Sequence, residues 1–212
     1  NTDVTVEQLL TMTSGISDWS KDLGAQTAIM LQEHWKPADN LSRIAAPFVE
    51  PGSNNYSYAN SILLGLIAVH KGGKSANTLL QETFFEPLGL SGGLLPEVTP
   101  PADTAKPYDE LADYGLGTGF GNLRAGPLAV FEGKDSRISW VGAGIVSTPE
   151  NVSRWGYELF SPSGSALSNE SRTQLIDSLR VEAGPTMSGL GVHTYGYYIG
   201  MADVSLSDGT RI

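Results

Sequence analysis

Cysteine is absent from the 212 residues, which excludes structural disulfides, thiolate metal sites and a cysteine nucleophile while leaving the compartment open. Basic residues are scarce, with 13 Lys and Arg against 23 Asp and Glu and a formal net charge of −10. Nucleic acids and anionic membrane surfaces are bound by basic faces, so neither is an expected partner. Long apolar runs are also missing. The longest, Ile62 to Val69, falls well short of the roughly 20 residues of a membrane span and suits a buried helix. The opening Asn-Thr-Asp-Val has neither the basic nor the apolar segment of a signal peptide. The histidines His34, His70 and His193 share no metal-ligand spacing, and no HExxH occurs. Two of them lie near predicted helix C-termini, where a cation meets the dipole favourably. No metal or other cofactor is expected.

What remains is the composition of an ordinary globular protein, 40% hydrophobic and 17% charged, long enough for one sizeable domain. Thr5-Val6-Glu7-Gln8 reads as a capping box opening a helix with Leu9, Leu10 and Met12 on its apolar face, stopped at Ser14-Gly15. A second helix is expected from Leu23 to Trp35, ending before Pro37. A third covers Ile62 to His70, with Asn60 or Ser61 as its cap and Gly72-Gly73 as its end. Ser75 caps a helix carrying Leu79, Leu80, Phe84 and Phe85, terminated at Pro87. Residues 91 to 122 are rich in Pro and Gly and read mostly as loop. Thr148-Pro149 starts another helix, and Ser168 to Leu179 makes one more. The tail "HTYGYYIGMADVSLSDGTRI" changes character, with aromatic and β-branched residues that suggest two strands, or a strand and a turn. Helices early and strands late give an α+β layout.

Two glycine patterns invite a functional label and do not sustain it. Gly115 to Gly121, "GLGTGFG", alternates its glycines and does not reproduce GxGxxG. Gly89-Leu90-Ser91-Gly92-Gly93 matches GxSxG, yet a nucleophile elbow needs a strand before the serine and a helix after it. Here a helix ending "FFEPLGL" precedes, so a helix-terminating turn is expected. Sequons at Asn40, Asn55, Asn151 and Asn169 carry meaning only in a secreted eukaryotic protein.

The stretch "PGSNNYSYANSILLGLI", residues 51 to 67, holds the remaining candidates. Tyr58-Ala59-Asn60 taken alone is divided between a half-buried aromatic beside a helix cap and a site that does chemistry. Its neighbours carry a resemblance. "VTVEQLLTMTSGISDW" (4 to 19), "EPGSNNYSYANSILLGLI", "LLQETFFEPLGL" (79 to 90) and "WVGAGIVSTPENVSRWGYELF" (140 to 160) follow one another as do similar segments of the serine β-lactamase and penicillin-binding family. The likeness is to its class C, D-alanyl-D-alanine carboxypeptidase and esterase branch.

The resemblance implies a mostly helical region of a β-lactamase/transpeptidase-like fold, with one or two C-terminal strands of its antiparallel sheet. It implies acyl transfer through a serine from a D-amino-acid peptide, a β-lactam or a simple ester to water or another acceptor, and a periplasmic or secreted location. Tyr58 would be the proton-transfer group and Asn60 the positioning amide. A serine hydroxyl needs a nearby base to take its proton, and a phenol serves only where its acidity is raised by adjacent cations.

The sequence departs from that pattern twice. Three residues before its lysines stand Asp18, Glu33, Ala68, Lys71, Asp103 and Phe131, so there is no Ser-x-x-Lys, and no strand that carries Lys-Thr-Gly or His-x-Gly either. Residues 1–212 are therefore expected to be a single β-lactamase-related domain, incomplete at both ends and inactive alone. A binding or assembly module on the same scaffold is the alternative. Its bare apolar helices should self-associate or dock a companion segment. Second, the family's step from motif tyrosine to the glycine of "LLG" is about nine residues, whereas Tyr58 stands seven before Gly65. A two-residue shortening would rotate the following helix by about 200°, and a local rearrangement is expected there. Aligning Tyr56 restores nine, with Tyr58 in the asparagine's place.

Overall fold

One long helix organises the computed structural model, which describes residues 3–44, 50–52, 56–104, 136–178, 180–182, 193–196 and 199–202. Before it come α1 (Val6–Leu10) and α2 (Leu23–Leu31), then the long α3 (Tyr58–Gly72). The capping box of α1 forms as expected: Gln8 N–H donates to Thr5 Oγ1 at 3.1 Å and Thr5 N–H to Gln8 Oε1 at 2.9 Å. That helix ends at Leu10, ahead of the expected stop, because Met12 turns the backbone left-handed at φ 57°.

α2 also stops early, at Leu31 rather than Trp35. The cause is remote in sequence. Arg137 Nη1 donates to the carbonyls of Gln32 at 2.6 Å and Met30 at 3.4 Å, completing the helix's C-terminal acceptors from outside. Pro37 then opens a 3₁₀ turn, Pro37–Arg43. Within that turn Asn40 is fully buried. Its Nδ2 donates to the carbonyls of Arg137 at 2.7 Å and Ile138 at 3.3 Å, and its Oδ1 accepts from Trp35 Nε1 at 2.8 Å. The Asn40 sequon is therefore closed to modification in the folded chain.

α3 is capped by neither Asn60 nor Ser61. Ser57, with extended backbone angles, accepts from Ala59 N–H at 3.2 Å, and Gly73 closes the helix in the left-handed conformation. After Ser75 the chain runs α4 (Ala76–Leu80), one π turn (Gln81–Phe85) and α5 (Glu86–Leu88) as a single rod. Pro87 sits inside the last turn, and Gly89 at φ 60° ends it. The GxSxG run is thus a post-helical turn, with Ser91 accepting from Asn151 Nδ2 at 2.7 Å.

β1 (Gly93–Leu94) follows, then α6 (Ser136–Ser139), a 3₁₀ turn Trp140–Gly142 and β2 (Ile145–Val146), which pairs antiparallel with β1. Thr148 caps α7 (Pro149–Phe160) and Ser168 caps α8 (Asn169–Asp177), both where the sequence placed them. β3 (Arg180–Glu182), β4 (His193–Gly196) and β5 (Ile199–Ala202) form one antiparallel sheet in that order. β4 and β5 are the expected tail strands; β3 extends the sheet. The β1–β2 pair has no counterpart among the expectations, because two residues per strand leave no periodicity to detect. Gly115 to Gly121 lie outside the described residues.

The core divides about α3. Ala59 joins Leu9, Ile16, Trp19 and Ile29 on one side, and Ile62 joins Ala76, Leu94 and Trp140 on the other. Beyond Trp140 the second side opens into an apolar groove of about 530 Å³, lined by residues that include Leu64, Ala68, Leu79, Phe84 and Ile145. α7 buries no residue fully, and Val152, Tyr157 and Phe160 are exposed along it. Among the described residues no helix is long and apolar enough to cross a membrane.

Candidate active site

The Thr-Ser-Gly turn and the Pro-Gly…Tyr segment, far apart in sequence, meet at the start of α3. Gly52 N–H donates to the Thr13 carbonyl at 2.8 Å. Ser14 Oγ donates to Asn60 Oδ1 at 2.6 Å, and Asn60 Nδ2 reaches Met12 Sδ at 3.0 Å. The left-handed backbone at Met12 brings its sulfur to that amide. Asn60 has no exposed surface and Ser14 only 1%. Both ends of the Asn60 amide are thus engaged inside the molecule, and Ser14 spends its hydroxyl proton on the same contact.

The tyrosines stand on the outer side of this clasp. Tyr58 is the first residue of α3, and its N–H reaches Asp18 Oδ1 at 3.3 Å. Ser57 Oγ donates to the Ser17 carbonyl at 3.2 Å while capping the helix. Asp18 and Ser57 together satisfy first-turn donors that would otherwise be orphaned, and they fix the direction in which the chain enters α3. Tyr56 and Tyr58 are both half-buried. Their rings meet edge to face, with centroids 5.6 Å apart and planes at 86°, the arrangement aromatic quadrupoles favour.

The structure therefore gathers Tyr56, Tyr58 and Asn60 at one place, but it turns the two tyrosines and the asparagine to different sides. α3 is regular from Tyr58 onward. Gly65, the glycine of "LLG", lies directly under the Trp140 ring, where a methyl group would fall 2.7 Å from Cζ3. Sequence reasoning missed Asp18, Trp140 and Gly142. Asp18 could have been found as a capping residue ahead of Trp19-Ser20, whereas the last two reach α3 only through the fold. Among the described residues no cluster of three His, Asp or Glu is placed to hold a metal.

The Beta-lactamase family profile matches residues 1–210. The chain belongs to that family. Among curated protein sequences none matches it. Among solved structures it resembles a D-stereospecific amidohydrolase from Streptomyces sp., with a TM-score of 0.71 at 20% identity over 98% of this chain and 59% of that one. It also resembles the D-amino acid amidase from Ochrobactrum anthropi SV3 complexed with L-phenylalanine, with a TM-score of 0.74 at 22% identity over 93% and 55% of the two chains. A penicillin binding protein from Bacillus halodurans is similar at a TM-score of 0.67 and 24% identity, over 99% of this chain and 58% of that one. At these identities the likeness is one of fold, and it bears out the helix-rich α+β layout with antiparallel strands. As a β-lactamase family member, the chain spans less than three fifths of the length of each of these structures.

Proposed function

We propose that this chain is part of a serine acyl hydrolase and supplies the tyrosine side of its site, with Tyr56 as the proton-transfer group and Tyr58 beside it as the positioning group. The observation that carries this choice is the complete burial of Asn60. An amide with both ends bonded internally has nothing left to offer a substrate, so the Tyr56 alignment is favoured over Tyr58 with Asn60. The nine-residue step to Gly65 supports the same choice. Asn60 then acts from behind, tying the helix start to the Thr-Ser-Gly turn. The acyl donor is an amide or ester: a D-amino-acid peptide, a β-lactam or a simple ester. The names of two structural neighbours, a D-stereospecific amidohydrolase and a D-amino acid amidase, favour a D-configured amide.

The 212 residues contain no Ser-x-x-Lys, so the chain alone is inactive, and a companion segment covers the groove beside α3. Incubated with nitrocefin or p-nitrophenyl acetate, the chain gives no turnover. Turnover abolished by a serine-directed phosphonate would overturn this. In a longer coding sequence bearing the serine, Tyr56→Phe lowers kcat by about 10²–10⁴, the usual worth of a positioned acid or base, and Tyr58→Phe lowers it far less. The reverse order would return the role to Tyr58. A longer sequence that still lacks Ser-x-x-Lys would make the protein a binding or assembly module instead.

A further inference from the structure

Tyr58, Ser61 and Gly65 recur on one face of α3, and the Trp140–Gly142 turn lies along that face. A methyl group at Gly142 would fall 2.8 Å from Ser61 Oγ and 3.2 Å from Cδ1 of the Tyr58 ring. One at Gly65 would fall 2.7 Å from both Trp140 Cζ3 and Val141 Cγ2. Bare glycine backbone at both points lets the turn press directly on the helix and on the tyrosine ring. The turn itself is strained: Trp140 holds φ at 39° with its side chain 1% exposed. A bulky residue in that region costs about 1–3 kcal/mol and persists only where its surroundings over-determine it.

Glu97 supplies that determination from the far side. Its Oε1 accepts from Trp140 Nε1 at 2.8 Å, and its Oε2 accepts from Asn77 N–H, in the first turn of α4, at 2.8 Å. Asn77 Oδ1 in turn accepts from Leu94 N–H at 3.0 Å. A buried indole donor left without an acceptor is costly, so the carboxylate sets where the indole lies. The indole sets the turn, and the turn sets the ring. We propose that Glu97 is a positioning residue for the Tyr56–Tyr58 pair, acting through Trp140 and Gly142; this rests on the assignment of that pair above.

The test follows the ring by ¹⁹F NMR of the chain labelled with 3-fluorotyrosine, with the two signals assigned from Tyr56→Phe and Tyr58→Phe. Glu97→Ala removes both acceptors and shifts the Tyr58 signal. Glu97→Gln keeps one carbonyl acceptor for the indole and brings the signal back toward its original position. Trp140→Phe keeps a ring over Gly65 but loses the donor; it shifts the signal as Glu97→Ala does, and it carries the comparison should Glu97→Ala fail to fold. An unmoved Tyr58 signal, or tyrosine signals that all move alike, would overturn the proposal, since general loosening spares no ring. The readout needs no turnover. Retained activity in Tyr56→Phe would therefore sink the assignment of Tyr56 as the proton-transfer group and leave this result standing.

Discussion

Asn60 is where residue identity and position are tied most tightly. Its carbonyl is the acceptor for Ser14 and its amide contacts Met12, with no water-accessible surface at Asn60. Asn60→Ala strands the Ser14 hydroxyl and opens a small void, a combination expected to cost about 2–4 kcal/mol. Equilibrium urea unfolding of the two chains measures it, and a difference below about 0.5 kcal/mol would mean that the clasp is not held in solution. At this scale the sequence was legible in part. The residues of "YSYAN" point to one location, because two phenols and an amide are crowded there at a helix entrance. Which of them face outward depends on the phase of α3, and that is set by the cap. Ser57 takes this role because its hydroxyl can reach Ala59 N–H while its own proton bonds the Ser17 carbonyl. The second contact is invisible in a linear chain.

Among the elements, helix glycines make the contrast between local propensity and packing measurable. In an exposed helix interior, Gly→Ala gains about 0.5–1 kcal/mol. A methyl group added at Gly156 in α7 would meet nothing within 4 Å, so Gly156→Ala should stabilise by that amount. Gly65 in α3 lies against Trp140 and Val141, so Gly65→Ala should destabilise by about 1–3 kcal/mol despite its better propensity. Thermal unfolding of both variants checks the opposite signs; equal shifts would deny the close approach of the 140–142 turn. The same division explains which elements could be read from sequence. Thr5, Ser75, Thr148 and Ser168 announce helix starts because a cap is a contact within three residues. The end of α2 could not be read, since Arg137 fixes it from about a hundred residues away. The π turn at Gln81–Phe85 likewise leaves no mark on the local pattern.

For the whole molecule, two properties oppose each other. Val152, Tyr157 and Phe160 on α7, Ile67 on α3 and Ile145 on β2 are exposed apolar side chains, and the groove beside α3 is open. Surfaces of this kind favour association. The formal charge of −10 opposes it, because like-charged copies repel across about a Debye length. The isolated chain should therefore associate more strongly at about 0.5 M salt than at about 0.02 M, since the higher concentration screens that repulsion. Association held by ion pairs would show the opposite trend. Light scattering at the two conditions decides it, and a monomer at both would count against the covered-groove proposal. Composition could foretell the acidity and the bare helices, but not that Glu97 and Trp140 would build a wall behind Tyr58.

The bond from Asn40 to the Arg137 carbonyl joins positions 97 residues apart, and Arg137 returns two bonds to the end of α2. Such a bond closes a very large ring of chain. The entropy of ring closure grows only with the logarithm of its length, so doubling the intervening chain costs about 0.6 kcal/mol. Extra sequence inserted between the two anchors would therefore weigh little on the elements they fasten. Tyr56, Tyr58 and α3 lie inside that ring, so a loop between its folded elements can lengthen at little cost while the elements the two anchors fasten keep their place.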